Sequence, residues 1–260
     1  MTILKSIAGT LALVGATATV AHGTVLVNDS FTYANGNLVT QDPPIGGAWA
    51  AHSGAASVPV QVTGGAAVIA QGAGSREDVN TAFEGGETAS AGETFYAAFD
   101  LTIADPAATI VDVNFAHFLA GTTTFDGRLW VTAPTTAGYR LALSNDNSIT
   151  DADGEVRTAD LAFGTTYRVV TSYNFDAKTS SIWIDPTTST APLTATDPGF
   201  SDAVASYAFR QAAGNTTQTV DNLIVATTPE EVGVTVPEPT SLVAVGLGTM
   251  ALLRRRRSSR

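Results

Sequence analysis

Through the middle of this chain apolar residues fall on every second position, in short runs separated by turn-forming clusters. That two-residue period is the signature of strands with one buried face, and no long stretch holds a helical period. The clearest run is Phe95 to Ile103, where Phe95, Ala97, Phe99, Leu101 and Ile103 share a face. From Tyr167 to Phe175, Tyr167, Val169, Thr171, Tyr173 and Phe175 oppose Arg168, Val170, Ser172 and Asn174. Leu129 and Val131 oppose Trp130, Tyr139, Leu141 and Leu143 oppose Arg140, and Ile182 and Ile184 oppose Trp183. From Val111 to Leu119 the alternation places His117 with Val111, Val113, Phe115 and Leu119 on the core side.

Weaker strands complete the series at Thr24–Asn28, Val58–Val62, Ala66–Ala70, Tyr207–Arg210 and Val220–Ala226. Thr63-Gly64-Gly65 reads as a hairpin turn between the second and third of these. Half-apolar strands of this kind must cover one another. The expected fold is therefore all-β, an antiparallel two-sheet sandwich of about twelve strands.

The two ends break the pattern. After Lys5, the stretch Ile7 to Val20 is apolar and small residues follow, so residues 1–23 read as a secretory signal peptide forming a signal helix. At the other end Val236-Pro237-Glu238-Pro239-Thr240-Ser241 is stiff and polar, because proline fixes φ and favours extended neighbours. An uncharged run from Leu242 to Leu253 comes next, with Leu242, Val243, Val245, Leu247, Leu252 and Leu253 as its large apolar side chains. As a short hydrophobic helix it would extend only about 18 Å, so spanning a bilayer would need its polar neighbours and snorkelling arginines. Arg254, Arg255, Arg256 and Arg257 then form a stop expected on the cytoplasmic side. The expected division is a signal at 1–23, a sandwich at 24–228, a linker at 229–235 and a sorting and anchor segment at 236–260.

Composition narrows the function. There are no cysteines, which excludes disulfides, thiol catalysis and cysteine zinc sites. Between Thr24 and Thr235 there are 7 Lys and Arg against 23 Asp and Glu, a net charge of −16. So acidic a body repels nucleic acid, and the basic tail is therefore topological.

At its tail the sequence resembles the PEP-CTERM sorting domain of Gram-negative bacteria. The resemblance rests on Pro237, Glu238 and Pro239, the hydrophobic segment and the arginine cluster. It implies export through the secretion translocon, trimming by signal peptidase and recognition by an exosortase. It further implies transient anchoring in the inner membrane and delivery to the cell surface or an exopolysaccharide matrix.

The body is similar to the concanavalin/laminin-G-like jelly rolls of exported bacterial proteins. That second resemblance is carried by Asp29-Ser30-Phe31-Thr32-Tyr33, Gly46-Gly47-Ala48-Trp49, the run from Leu161 to Phe175, Ile182-Trp183-Ile184-Asp185-Pro186 and Val220-Asp221-Asn222-Leu223. It implies the jelly-roll form of the sandwich. Fold does not decide function here, since sugar binders, adhesion modules and glycoside hydrolases all use it.

Candidate chemistry in the body is sparse. There is no Gly-x-Ser-x-Gly elbow, His-Glu-x-x-His or P-loop. His117 is expected as a core histidine. Asp151, Asp153 and Glu155 stand at alternate positions, as the carboxylates of a jelly-roll glucanase strand do, but Gly154 and the polar Asn145–Ser148 before them favour a turn. The same three residues are the candidate site for weakly held calcium, and no other cofactor is expected. Trp130 and Trp183, opposite the aliphatic faces of their strands, are the candidate sugar platform. The reading these features favour is a non-enzymatic, polysaccharide-associated surface or matrix protein. Its alternatives are a secreted glycan hydrolase and a purely structural matrix component.

Overall fold

The computed structural model describes residues 23–55, 57–89, 92–149, 154–187, 190–196 and 203–234. Sixteen strands are present among them. In chain order they are β1 (Val25–Asp29), β2 (Gly36–Asn37), β3 (Ala50–Ser53), β4 (Gln61–Thr63), β5 (Ala66–Ala70) and β6 (Asp78–Ala82). Next come β7 (Thr94–Ile103), β8 (Val113–Ala120), β9 (Thr124–Thr132), β10 (Arg140–Ser144) and β11 (Val156–Arg157). The last are β12 (Thr166–Asn174), β13 (Thr179–Ile184), β14 (Leu193–Ala195), β15 (Ser206–Phe209) and β16 (Thr217–Ala226).

They form two antiparallel sheets. One runs β14-β13-β12-β7-β16-β5-β4-β2, with β1 also paired to β16, and has nine strands. The other runs β11-β10-β9-β8-β15-β6-β3 and has seven. Local sequence sets much of this register. Gly64 and Gly65 both take positive φ, at 61° and 83°, and close the two-residue hairpin in which Thr63 faces Ala66.

One core lies between the sheets. It takes Phe95, Ala97, Phe99, Leu101 and Ile103 from β7, Val169 and Tyr173 from β12, and Leu129, Val131, Leu141 and Leu143 from β9 and β10. These are the faces that alternation predicts. Aromatic rings dominate the centre: Trp49 stacks on Phe209 at 5.3 Å, and Phe31 lies 6.0 Å from Trp49. The Trp49 indole N–H donates to the buried carboxylate of Asp29 at 2.7 Å, and the Phe31 N–H donates to the same group at 2.7 Å.

Two strands depart from simple alternation. In β16 the register shifts between Asp221 and Ile224, where Asn222 has φ 51°, so Val220, Leu223 and Val225 all reach the core. In β8 it shifts twice, between Asn114 and Ala116 and between Ala116 and Phe118. The partner residue Gly127 has φ 56°, a conformation that favours glycine. This corrects the expectation for His117. Phe115, Ala116 and Phe118 face the core, whereas His117 and Leu119 turn to the outer side. Val111 lies before the strand and is exposed.

The stretch expected as a linker is folded as far as Val234. Val232 and Val234 donate their N–H groups to the Pro229 carbonyl, at 3.3 and 2.9 Å, and Gly233 donates to Glu230 at 3.0 Å. Val232 and Val234 are buried against Trp183, Val170, Ala98 and Ala226 on the outer face of the nine-stranded sheet. An open groove of about 460 Å³ runs beside this strap, between Arg168, Asp185 and the strap's Glu230 and Glu231. Trp183→Ala is expected to undock the strap. Limited proteolysis should then cut after residue 228 at least tenfold faster than in the parent, while cleavage within the sandwich stays unchanged.

The expected signal and C-terminal helices, the sorting residues Pro237–Pro239, the apolar segment and Arg254–Arg257 lie outside the described residues. Among the described residues, no helix is long and apolar enough to cross a membrane.

Candidate functional site

A set of polar and aromatic residues faces outward from the seven-stranded sheet. Cross-strand register places them in rows, because directly opposed residues point to the same side. Arg157 of β11 faces Ala142 of β10, Ala142 faces Trp130 of β9, and Trp130 faces Asn114 of β8. Arg210, just beyond β15, reaches this row and donates from Nη1 to the Asn114 side-chain oxygen at 2.8 Å. Neighbouring strands lie about 4.8 Å apart, so the row crosses roughly 19 Å of sheet.

Ser144 pairs with Arg128, and across the bulge between β9 and β8 the line continues through His117, Ala208 and Asn80. The His117 ring stacks on Phe125 with centroids 3.9 Å apart, and the His52 ring meets it edge-on at 6.2 Å. Arg128 donates from Nε to the Phe125 carbonyl at 3.2 Å and from Nη1 to Asn147, while its guanidinium lies 5.1 Å from the Phe125 ring centre. The small side chains of Ala142 and Ala208 leave room for the larger ones beside them.

The electrostatics follow from this crowding. Burial holds the His117 imidazole well below its usual pKa, and nearby His52, Arg128 and Arg210 push in the same direction. Burial also lowers His52, against the opposing field of Asp78. Arg128 is brought down to about 10, first by burial and then by Arg210, with Asp146 and Asp126 acting against both. Both histidines are neutral at pH 7.

Hydrogen bonding on this face is incomplete. Among the described residues, His52 and His117 have no partner at either ring nitrogen, Asn114 has none at Nδ2, and Trp130 has none at Nε1, although all of these atoms are buried. Buried polar groups are nearly always paired with protein or with ordered water, and each exception needs a cause. These atoms are enclosed by their neighbours, so what the face presents outward is the open part of the Trp130 ring and the Arg210 guanidinium. The Trp130 ring is itself half-buried, so part of it remains open to solvent.

The sequence-derived sites are redistributed. Trp130 and Trp183 do not form one platform, because they stand on the outer faces of opposite sheets. Trp183 is only 8% exposed beneath the strap. Asp151 and Asp153 lie outside the described residues. Glu155 is described, with its side chain largely buried and paired to Arg157 at 3.8 Å. Among the described residues, no cluster of three His, Asp or Glu side chains could hold a metal ion. Asn114 and Arg210 carry no mark in the sequence beyond their places near strand ends. His117 was visible, but on the wrong side of its strand. The isolated Gly127 inside an otherwise regular run is the one sequence sign of the bulge that turns it outward.

A domain of two antiparallel sheets with a polar, under-bonded outer face is thus joined to a C-terminal address. Residues 235–257 are a PEP-CTERM protein-sorting motif. Such a motif marks its carrier for exosortase-dependent export and membrane-anchored sorting to the surface. No curated protein matches the chain by sequence. Among solved structures the carbohydrate recognition domain of Emp47p is similar at 10% identity and TM-score 0.48, covering 82% of this chain and 99% of that one. The binding domain of botulinum neurotoxin serotype C1 is similar at 7% identity and TM-score 0.49, covering 78% and 48%. A sialidase is similar at 11% identity and TM-score 0.46, covering 71% and 17%. The chain therefore spans about a sixth of the sialidase and about half of the neurotoxin structure. Likeness of this degree says nothing about ligand or activity.

Proposed function

We propose that this protein is a non-enzymatic polysaccharide-binding module of the concanavalin/laminin-G-like kind, sorted to the cell surface or extracellular matrix of a Gram-negative bacterium. The sorting motif supports the destination. The translocon and signal peptidase would act on residues 1–23 and the exosortase near Pro237-Glu238-Pro239. The observation that carries the binding role is the outer face of the seven-stranded sheet. There a half-open indole, Trp130, stands in one row with the partly exposed guanidinium of Arg210. Sugar recognition needs this combination, an apolar ring to stack on and fixed polar groups to read hydroxyls.

A binding role suits the site better than hydrolysis does. His117, the best-placed neutral base, is sealed beneath Phe125 and His52 and is fully buried. Glu155 is engaged with Arg157. The test is a glycan array probed with the full chain, alongside Trp130→Ala. The expected result is binding to extended glycans that falls at least tenfold in the variant, with no reducing ends released. Absence of any glycan binding would sink the proposal. So would sugar release that Glu155→Gln abolishes, since that would make the protein a hydrolase.

A further inference from the structure

The body carries few cations, and their placement is uneven. Its seven basic residues are Arg76, Arg128, Arg140, Arg157, Arg168, Lys178 and Arg210, against a net charge of −16 between Thr24 and Thr235. Four of the seven, Arg128, Arg140, Arg157 and Arg210, stand on or at the edge of the outer face of the seven-stranded sheet. Two are already committed. Arg157 is paired with Glu155, and Arg128 lies in the field of Asp126 and Asp146. Arg140 donates from Nε to the Ala133 carbonyl at 2.9 Å and acts on Asp160.

Arg210 differs. It is partly exposed, and among the described residues its side chain bonds only to Asn114, with no carboxylate in salt-bridge range. A guanidinium presents five N–H donors in a planar fork. One donor goes to Asn114, and others remain for an incoming group. Asp78, which accepts from the residue next to Arg210, has its two oxygens taken by the Gln211 N–H at 2.8 Å and the Ser53 hydroxyl at 3.0 Å. Trp130 lies two strands away, a lateral distance of about 10 Å, with Asn114 between them.

From this arrangement we infer that the ligand is an acidic polysaccharide, one bearing carboxylates on its sugar rings. One ring stacks on Trp130 and a nearby carboxylate is held by the free edge of Arg210. Asn114, buried between them, holds the Arg210 guanidinium in place through its side-chain oxygen. The inference rests on the polysaccharide-binding role proposed above. Bidentate pairing of arginine with carboxylate supplies both energy and orientation, which a neutral sugar cannot draw from this residue. Excess negative charge elsewhere on the domain repels an acidic chain, so attraction is confined to this face and the polymer is set in one place.

Polygalacturonate and its methyl ester provide the test, because esterification removes the charge and keeps the sugar. Affinities for both are measured by calorimetry with the full chain in detergent, at low and at moderate salt. The acid form should bind at least tenfold tighter than the ester, and added salt should erode that advantage. Arg210→Gln should bring the acid down to near the ester's affinity and lower the ester far less, and Arg210→Lys should restore part of the preference. Equal affinity for acid and ester, or an undiminished preference in Arg210→Gln, would overturn this inference and leave a neutral-glycan reading standing. Binding to neither polymer nor to any neutral glycan would remove both. Duplex DNA binding as tight as that of polygalacturonate would reduce the site to a general anion patch and overturn the inference as well.

Discussion

Trp49→Ala should bring the sandwich close to spontaneous unfolding. The indole is buried, stacked on Phe209 and tilted against Phe31, so its loss leaves a large void at the aromatic centre. Removing a buried aromatic ring costs about 3–5 kcal/mol. The variant also withdraws a donor from Asp29, whose carboxyl is buried and already pushed above its usual pKa by that burial. An orphaned buried polar group costs about 1–3 kcal/mol more. Set against about 5–15 kcal/mol for a whole domain, the sum is severe. Trp49→Phe separates the two contributions, keeping most of the ring contact and losing the hydrogen bond. Urea unfolding followed by circular dichroism should place Trp49→Phe between the parent and Trp49→Ala. A midpoint for Trp49→Ala within experimental error of the parent would refute this account of the core.

Acid should weaken the fold well before its carboxylates titrate. An unfolded histidine takes up a proton near pH 6.5, whereas folded His117 resists protonation because it is buried among His52, Arg128 and Arg210. The unfolded chain therefore binds more protons as pH falls below about 6.5. Stability is complete above that value and is lost towards the depressed folded pKa, by as much as about 1.4 kcal/mol per pH unit. His52 acts in the same sense. Asp29 acts in the opposite sense, since its raised pKa makes the folded chain take up a proton first as pH drops towards 3.8. Urea midpoints at pH 7.5 and 4.5 should differ clearly in the parent and much less in His117→Gln. An equal acid loss in that variant would show that His117 is not its source.

The architecture was legible where alternation is clean. The strand from Phe95 to Ile103 buries the five residues that its period picks out, and the Gly64-Gly65 hairpin closes where two positive-φ residues allow it. The outward side of Trp130 and Trp183 was legible for the same reason. What each would meet there was not. Alternation is a property of one strand, while the cover over Trp183 comes from residues 229–234, whose composition resembles any linker. The histidine site was hidden by two register shifts within β8, each moving a side chain across the sheet. Arg210 gave no signal at all, since its partners are brought to it by pairing between β15 and β8.

The docked strap also limits how far the domain can stand from whatever holds its tail. Its last packed residue, Val234, sits three positions before Pro237, and three extended residues reach no further than about 11 Å. A leash that short keeps the strap, and the edge of the sandwich it packs on, within that distance of whatever holds the motif.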